Sequence, residues 1–232
     1  MSFLFPPAPT VGIPVLGVTR TFPVRRVFCV GRNYAAHARE MGFDPDREPP
    51  FFFCKPADAV AYVEPGTHGK FPYPTETADC HYEVELVAAI GVRGANISLD
   101  DALRHVAGYA LGLDMTRRDL QIEMRKMGRP WDIGKAFDHS APIGPIVPAA
   151  QVTALESATI ALDVNGARRQ HAQIGQLIWS VAETIAYLSR YFELFPGDLI
   201  FTGTPEGVGP IVRGDTMVAT LTGFDALTVD VV

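Results

Sequence analysis

Two apolar runs that carry acidic side chains constrain the fold of this chain more than any other feature. The first is the segment 81–90, which reads HYEVELVAAI. Successive side chains of a strand point to opposite faces, so Glu83 and Glu85 share one face while Val84 and Leu86 point toward a core. Two neighbouring carboxylates repel each other, and proteins accommodate them on a solvated face or around a cation that cancels the repulsion.

The second run is the segment 109–114, which reads YALGLD and ends in Asp114. If the two strands are neighbours, three carboxylates converge on one place. Carboxylates are the ligands that Mg²⁺ and Mn²⁺ prefer, and they also bind Ca²⁺. A Glu-x-Glu pattern is equally typical of the solvated face of an amphipathic edge strand. The residues alone therefore leave two interpretations, a divalent metal site at Glu83, Glu85 and Asp114 or an ordinary polar strand face.

Length and charge narrow the class of protein. The chain has 232 residues, of which 47% are hydrophobic, and this is enough for one substantial core. Its formal net charge of −6 gives no overall basic field that would hold nucleic acid or an anionic membrane surface. No apolar run reaches the roughly 18 residues that a membrane span requires. Neither a nucleic-acid nor a membrane partner is expected.

The cysteines and the first residues indicate the compartment. Cys29, Cys54 and Cys80 are odd in number, lack C-x-x-C spacing and lie in apolar, strand-like runs. This pattern is typical of buried free thiols in a reducing environment. Residues 1–7 (MSFLFPP) have no basic region and are broken by prolines, so no signal peptide is expected. The sequence predicts a cytoplasmic protein.

A histidine and a glutamate on one short segment are candidates for acid–base chemistry. A short helix is predicted from about Tyr34 to Met41, and it places His37 and Glu40 three residues apart on one face. A carboxylate beside an imidazole orients it and raises its basicity, as a water-activating base requires. A surface His–Glu pair with little energetic effect would show the same spacing.

The pattern after Asp114 is helical, from Met115 to Met127, and strongly basic. Its cations and the one that follows are Arg117, Arg118, Arg125, Lys126 and Arg129. Such a cluster suits a small anionic substrate, although a solvated helix face would look similar.

Further along, 158–164 runs into the Asn165-Gly166 turn of a predicted hairpin, 174–191 reads as helix and 198–201 as strand. The loop 202–210 (TGTPEGVGP) lacks a nucleotide-binding glycine order, but its amides can hold a carboxylate or oxyanion.

Several of these segments together resemble the fumarylacetoacetate hydrolase family, in its short acylpyruvase branch that includes bacterial fumarylpyruvate hydrolases. They run in family order from about residue 25 to the C-terminus. The matching segments are Val30-Gly31-Arg32-Asn33-Tyr34 with His37 and Glu40, Phe53 with Lys55-Pro56, Glu83 with Glu85, Leu113-Asp114-Met115-Thr116 with Arg118-Asp119 and Gln121, Gly134-Lys135-Ala136-Phe137, and Thr202-Gly203-Thr204-Pro205 with Gly207-Val208-Gly209.

The resemblance implies a fold and an organisation. The expected fold is α+β and β-rich, a mixed β-sandwich roll with peripheral helices. Residues 1–24 would be an N-terminal extension and residues 25–232 a single catalytic domain. The family also implies a homodimer.

The resemblance also implies roles for individual residues. Glu83, Glu85 and Asp114 match metal carboxylates that usually hold Mg²⁺ or Mn²⁺. The remaining matches are His37 and Glu40 as a catalytic dyad, Lys135 as a lysine beside the metal, and Arg118, Gln121 and Thr204 as groups that hold substrate oxygens. Arg32, Arg117 and Lys126 are the cations considered for a distal substrate carboxylate, and Arg32 is included among the substrate-binding residues.

The implied activity is metal-dependent hydrolysis of a carbon–carbon bond in a small anionic 2,4-dioxo acid. Fumarylpyruvate is the expected substrate, as in gentisate-type aromatic catabolism, with fumarate and pyruvate as products. His37 would deprotonate the attacking water, while Lys135 or the Thr204 loop would stabilise the oxyanion. Relatives with the same fold imply two alternatives, decarboxylation or isomerisation of a 2-oxo acid such as oxaloacetate or a homoprotocatechuate-pathway intermediate. A non-catalytic binding protein with this fold is a third.

Overall fold

Strands dominate the chain in this computed structural model, which describes residues 2–35 and 48–232. They are β1 Gly12–Pro14, β2 Thr21–Pro23, β3 Arg26–Gly31, β4 Phe51–Lys55, β5 Val60–Tyr62, β6 His68–Phe71, β7 Cys80–Tyr82, β8 Val84–Ile90, β9 Val106–Leu113, β10 Thr116–Arg117, β11 Ala141–Ile143, β12 Val147–Pro148, β13 Thr159–Val164, β14 Ala167–Gln173, β15 Asp198–Phe201, β16 Gly209–Ile211, β17 Thr216–Leu221 and β18 Leu227–Val231.

Helices are short and peripheral in the same part of the chain. The α-helices there are α1 Arg118–Lys126, α2 Asp132–Lys135 and α3 Val181–Leu188. The 3₁₀ helices are Ala57–Ala59, Ala102–His105, Ala149–Gln151, Leu155–Ser157 and Ile174–Gln176. Among the helices of residues 2–35 and 48–232, none combines the length and apolarity that a membrane crossing requires.

Two large sheets carry the fold. The larger one has the strand order β4-β3-β15-β8-β9-β11-β5, with β12 also paired to β9, and the second has the order β14-β13-β17-β18-β6. Most pairs are antiparallel, but β15 runs parallel to β3, β11 to β5 and β18 to β6. Smaller sheets join β10-β7-β16 and β1-β2. The predicted fold class, a β-rich mixed β-sandwich roll, is confirmed.

Strand β8 lies at the centre of the larger sheet and is buried along its whole length. On one face, Leu86 and Ala88 belong to the core shared with the second sheet. On the opposite face, Val87 and Ala89 belong to a separate apolar core. A strand buried on both faces reads as a continuous apolar run, which explains the sequence of 84–90. Glu85 has the parity of Val87 and Ala89, so its carboxylate lies on the second face.

The first strands complete this second core. Strands β1 and β2 pair antiparallel, and Ile13 and Phe22 come directly opposite each other. Both side chains are buried in the second core beside Val87. Strands β1 and β2 of the predicted N-terminal extension therefore pack against the larger sheet, whereas residues 2–10 are exposed.

Some local predictions are confirmed and others are wrong. Strands β13 and β14 form the predicted hairpin, with Asn165 and Gly166 at φ values of 51° and 78°. The basic helix begins at Arg118 rather than Met115, because Thr116 and Arg117 pair with β7 instead. The helix predicted over 174–191 is divided, since a capping box of Ser180 and Glu183 starts α3 after an earlier 3₁₀ turn. Cys54 is exposed rather than buried, because β4 is an edge strand.

Candidate metal centre and active site

The pairing of β8 with β9 places the three predicted carboxylates together. In this antiparallel register, Val84 lies opposite Leu113 and Glu85 opposite Gly112. Just beyond the strand ends, Asp114 N donates a hydrogen bond to Glu83 O over 2.8 Å. One carboxylate oxygen from each of Glu83, Glu85 and Asp114 lies within 4.8 Å of the others, and all three residues are buried.

Buried cations neutralise two of these carboxylates. Lys135 Nζ lies 2.8 Å from both Glu83 Oε2 and Asp114 Oδ2. Lys55 Nζ lies 2.8 Å from Asp114 Oδ1, and Arg118 forms an ion pair with Glu83 Oε1. Because the Lys55, Lys135 and Arg118 side chains are almost inaccessible to solvent, water screens these pairs poorly.

Glu85 differs from the other two acids. Its Oε2 accepts a hydrogen bond from Gly203 N over 2.8 Å, but no cationic side chain of the described residues lies within 4 Å of it. Burial raises the pKa of Glu85 well above its usual value, and the charges of Asp114 and Glu83 raise it further. A divalent cation beside the three carboxylates would remove that penalty, and an all-oxygen donor set fits Mg²⁺ or Mn²⁺.

Gly203 is required where it donates to Glu85. Its φ is +100°, and a Cβ built there would lie 2.6 Å from Asn33 Cβ. Side chains rarely adopt this backbone conformation, and the space is already filled. The glycine of the sequence motif 202–205 therefore allows a backbone amide to reach a buried carboxylate.

Lys135 is held as a cation, and Lys55 is fixed beside it by hydrogen bonds. Burial alone would lower the pKa of Lys135, but the carboxylates of Asp114 and Glu83 outweigh it and raise the pKa above its ordinary value. Lys55 Nζ also donates to Met115 O over 3.1 Å and to Lys135 O. A lysine held in the charged form is an electrostatic stabiliser rather than a general base.

Arg118 and Gln121 share one face of α1, as their spacing of three predicts. Arg118 Nη1 donates to Gln121 Oε1 over 2.6 Å, so that the Gln121 amide nitrogen remains a donor. Arg118 Nε also approaches His81 Nδ1 at 3.5 Å, and His81 Nε2 lies 2.8 Å from Asp79 Oδ1. Burial and the nearby Arg118 charge lower the pKa of His81, which favours a neutral ring that accepts from Arg118 and donates to Asp79.

Thr204 is fixed by a residue of the second sheet. Gln170 Nε2 donates to Thr204 Oγ1 and to Pro205 O, in each case over 2.8 Å, while Val84 N donates to Gln170 Oε1 over 3.0 Å. Because the Thr204 hydroxyl oxygen accepts this bond, its own proton is available to another acceptor. Gln170 was not found from the sequence, where it lies in a polar strand far from the loop it holds.

A cavity lies against these groups and brings most of the predicted site residues together. Its lining includes Glu83, Glu85, Lys135, Arg118, Gln121, Thr204 and Arg32. Phe51, Phe53, Arg125 and Trp131 also line it. Arg125 belongs to the predicted basic cluster and Phe53 to a segment of the family resemblance, whereas Phe51 and Trp131 were not predicted in the site. Lys55 was also missed, although a lysine that ends an apolar strand was a usable signal. His37 and Glu40 lie outside the described residues.

Comparison with known proteins supports the sequence resemblance. A family model described as "Fumarylacetoacetate (FAA) hydrolase C-terminal" matches residues 26–232. A fumarylpyruvate hydrolase of Ralstonia sp is 46% identical over 188 residues, covering 81% of this chain and 95% of the relative. An oxaloacetate tautomerase of Escherichia coli (strain K12) is 38% identical over 213 residues, covering 91% of this chain and 95% of the relative.

A solved structure matches the whole fold. The fumarylpyruvate hydrolase of Pseudomonas aeruginosa, in complex with Mn²⁺ and pyruvate, is 63% identical to this chain with a TM-score of 0.98. The match covers 100% of this chain and 99% of the other. At this identity and TM-score the architecture of the sheets is shared.

Proposed function

Because the chain belongs to the fumarylacetoacetate hydrolase family, we propose that it hydrolyses a carbon–carbon bond of an acylpyruvate, with fumarylpyruvate as its substrate. Water adds across the bond, and the products are fumarate and pyruvate. The observation that carries this proposal is the buried carboxylate triad beside Lys135 and Arg118, in which Glu83 and Glu85 line one cavity with those two cations. It has the chemistry required to hold a cation and an anionic oxo acid in contact.

The proposal assigns Glu83, Glu85 and Asp114 as ligands of a divalent ion. Mn²⁺ is supported by the Pseudomonas aeruginosa structure, which was obtained with that ion, and Mg²⁺ shares the same preference for oxygen ligands. When bound, the ion supplies Lewis-acid stabilisation of the negative charge that develops on a substrate oxygen. The high pKa of metal-free Glu85 supports its assignment, since this carboxylate has the most to gain from a cation.

The chain's own donors would position the substrate. Arg118 and the Gln121 amide both face the cavity, and their mutual hydrogen bond holds them in one arrangement. The Thr204 hydroxyl, fixed by Gln170, presents its proton toward substrate oxygens. The Lys135 cation is buried beside the acids and would stabilise an oxyanion formed at the attacked carbonyl.

We assign His37 as the base that removes a proton from the attacking water, with Glu40 orienting its ring. This assignment rests on their spacing in the sequence and on the family resemblance. Hydrolysis needs such a base, whereas decarboxylation does not activate water. The dyad therefore favours the hydrolase over a decarboxylase.

A second function has specific support. An oxaloacetate tautomerase is 38% identical over 91% of this chain, so a related chain is named for the isomerisation of a 2-oxo dicarboxylic acid. Tautomerisation also needs proton transfer next to a metal-stabilised oxygen. Oxaloacetate is accordingly the competing substrate in the test of the proposal.

A spectrophotometric assay separates these functions. Chelator-treated protein is mixed with fumarylpyruvate, acetylpyruvate or oxaloacetate, before and after Mn²⁺ or Mg²⁺ is added, and pyruvate is measured separately. Metal-restored loss of the enol absorbance of fumarylpyruvate, with one pyruvate released per molecule, is the expected result. Folded, metal-loaded protein that leaves both acylpyruvates intact but interconverts the tautomers of oxaloacetate would replace the hydrolase proposal with the second function.

The family also guides two further expectations. We propose a homodimer that acts in the cytoplasm. Size-exclusion chromatography with light scattering tests the first, because a monomeric mass at assay concentration would contradict it. Fractionation of the source cells tests the second.

A further inference from the structure

The cavity beside the acids is too small for a whole acylpyruvate. Its volume is about 30 Å³, whereas one water molecule needs about 10–15 Å³ measured this way. A second cavity of about 570 Å³ adjoins it and has Phe51, Phe53, Trp131 and Arg125 in common with it. Within residues 2–35 and 48–232, a substrate whose oxo-acid end lies at the carboxylates therefore has room for its acyl end in this outer cavity.

Aromatic rings form the wall between the two cavities. The Trp131 ring meets Phe51 edge to face at 5.2 Å between centroids and Phe53 at 5.8 Å. The Phe51 ring lies directly on Gly31, where a Cβ would be 1.9 Å from Phe51 Cζ. Rigid, flat surfaces of this kind suit a planar unsaturated chain better than a flexible saturated one.

Two arginines of different elements lie beside this wall. Arg32 follows β3 with a positive φ of 57°, a conformation that non-glycine residues adopt at a cost and often at functional sites. Its guanidinium lies 4.8 Å from the centroid of Phe51. Arg125 belongs to the last turn of α1 and lines both cavities. Asp132 is the acid among the described residues that line the outer cavity, so cationic charge prevails there.

The other cations considered for this role are placed elsewhere. Arg117 donates to Ile133 O over 3.1 Å, and its guanidinium lies 4.5 Å from the centroid of Phe137. Lys126 follows Arg125 on α1 but is not part of the lining of either cavity. The structure thus singles out Arg32 and Arg125.

We infer that Arg32 and Arg125 bind a distal carboxylate on the acyl group, while Trp131, Phe51 and Phe53 pack against the planar chain between the two substrate ends. This inference rests on the proposed function and deepens it. It makes the substrate an acylpyruvate with a carboxylate at each end. Paired guanidinium–carboxylate hydrogen bonds are strong enough to select such a substrate over one that ends in a methyl group.

Kinetics with two substrates test the inference. The Arg125→Gln variant is compared with Lys126→Gln, which removes the same charge one residue away, using fumarylpyruvate and acetylpyruvate. For Arg125→Gln, the ratio of kcat/KM for fumarylpyruvate to that for acetylpyruvate should fall about 10- to 100-fold, chiefly through KM. For Lys126→Gln the ratio should stay within about twofold of wild type, because only the screened general field changes. Proportional loss on both substrates in Arg125→Gln, or an unchanged ratio, would overturn the inference.

A binding measurement separates this inference from the proposed function. Calorimetry of the Mn²⁺-loaded protein compares fumarate with crotonate, which has the same planar chain but only one carboxylate. Wild type and Lys126→Gln should prefer fumarate at least tenfold, and Arg125→Gln and Arg32→Gln should lose that preference. Wild-type protein that shows no preference would refute the role of the arginines even if it hydrolyses acylpyruvates. Protein that keeps the preference but hydrolyses neither acylpyruvate would refute only the proposed function.

Discussion

Asp198 and Glu85 are buried carboxylates on neighbouring strands of the larger sheet, and they differ in what compensates their charge. Asp198 accepts from Arg25 Nη1 at 3.0 Å, from Arg26 Nη2 at 2.7 Å and from Phe195 N at 2.9 Å. Glu85 accepts from Gly203 N, and the charges of Asp114 and Glu83 raise its pKa more than that of Lys135 lowers it. The chain compensates the charge of Asp198 by itself, whereas Glu85 is a carboxylate for which we propose a cation from outside.

The difference is the one expected between a structural acid and a metal ligand. The guanidiniums that hold Asp198 are partly exposed, so they remain hydrated while they neutralise it. The cations near Glu85 are instead engaged with Glu83 and Asp114. Buried charge without a partner costs stability, and proteins retain it where a ligand restores the balance.

Activity should show the largest contrast between the two acids. Glu85→Gln keeps the shape of the side chain but removes a proposed metal ligand, so kcat/KM for fumarylpyruvate should fall about a thousandfold, the equivalent of several kcal/mol of lost charge stabilisation. Asp198→Asn should keep kcat within about threefold at a temperature where it is folded, since it touches no part of the cavity. Steady-state assays at saturating Mn²⁺ measure both. Similar losses of activity in the two variants would contradict the proposed difference between Glu85 and Asp198.

Metal-dependent stability is the next effect in size. Mn²⁺ at a hundredfold excess over its Kd should stabilise chelator-treated wild type by about 2.7 kcal/mol, or about 5–10 °C in Tm for a chain of this length. Asp198→Asn should show the same rise from a lower starting point, and Glu85→Gln should show little. Differential scanning calorimetry with and without the ion measures the shifts. An equal rise in Glu85→Gln would show that the ion stabilises the protein from another site.

In the metal-free protein, Asp198→Ala and Glu85→Gln should change the free energy of unfolding in opposite directions. Asp198→Ala leaves two guanidiniums and Phe195 N without their acceptor, and should lower the free energy of unfolding by about 2 kcal/mol. Glu85→Gln removes a desolvated charge that two other acids repel, and this substitution should raise the free energy of unfolding. Urea denaturation in the presence of chelator measures both. A decrease for Glu85→Gln would mean that this carboxylate is already compensated.

A half-buried carboxylate, Asp119, should show the smallest effect and a defined pH dependence. Slight burial would raise its pKa, but hydrogen bonds from Thr77 Oγ1 at 2.6 Å, Ala78 N at 2.9 Å and Leu120 N at 2.9 Å hold it below the ordinary value of 3.8. Its stabilising contribution is therefore present above about pH 4 and is lost as the pH falls below it. At pH 7, Asp119→Asn should lower the Tm by about 1–3 °C, as expected for a residue in the first turn of a helix.

Thermal unfolding of Asp119→Asn at several pH values tests that sign. The difference in Tm from wild type should shrink as the pH falls below 4 and the native carboxyl becomes protonated. A difference that grows toward low pH would show that the carboxyl form, rather than the carboxylate, stabilises the start of α1.

The sequence was informative where periodicity and chemistry agree. The strands 84–90 and 198–201 and the hairpin at Asn165-Gly166 are visible as apolar runs and turn residues, and each is present as predicted. The helix over 174–191 was wrong, because an apolar spacing does not show where a cap such as Ser180 restarts the chain. Cys54 was wrong since an edge strand and a central strand have similar sequences.

The amino-acid sequence by itself determined the strand periodicity, the acids at 83, 85 and 114, and the family to which the chain belongs. Tertiary structure alone decided which charges meet. Lys55, Lys135 and Arg118 come from separate elements to neutralise Glu83 and Asp114, and Gln170 crosses from the second sheet to hold Thr204. Such contacts depend on strand order and register, which join residues distant in the chain. The local sequence does not show which distant residues will meet. The position of Glu85 outside the ion pairs is therefore visible only in the assembled sheet.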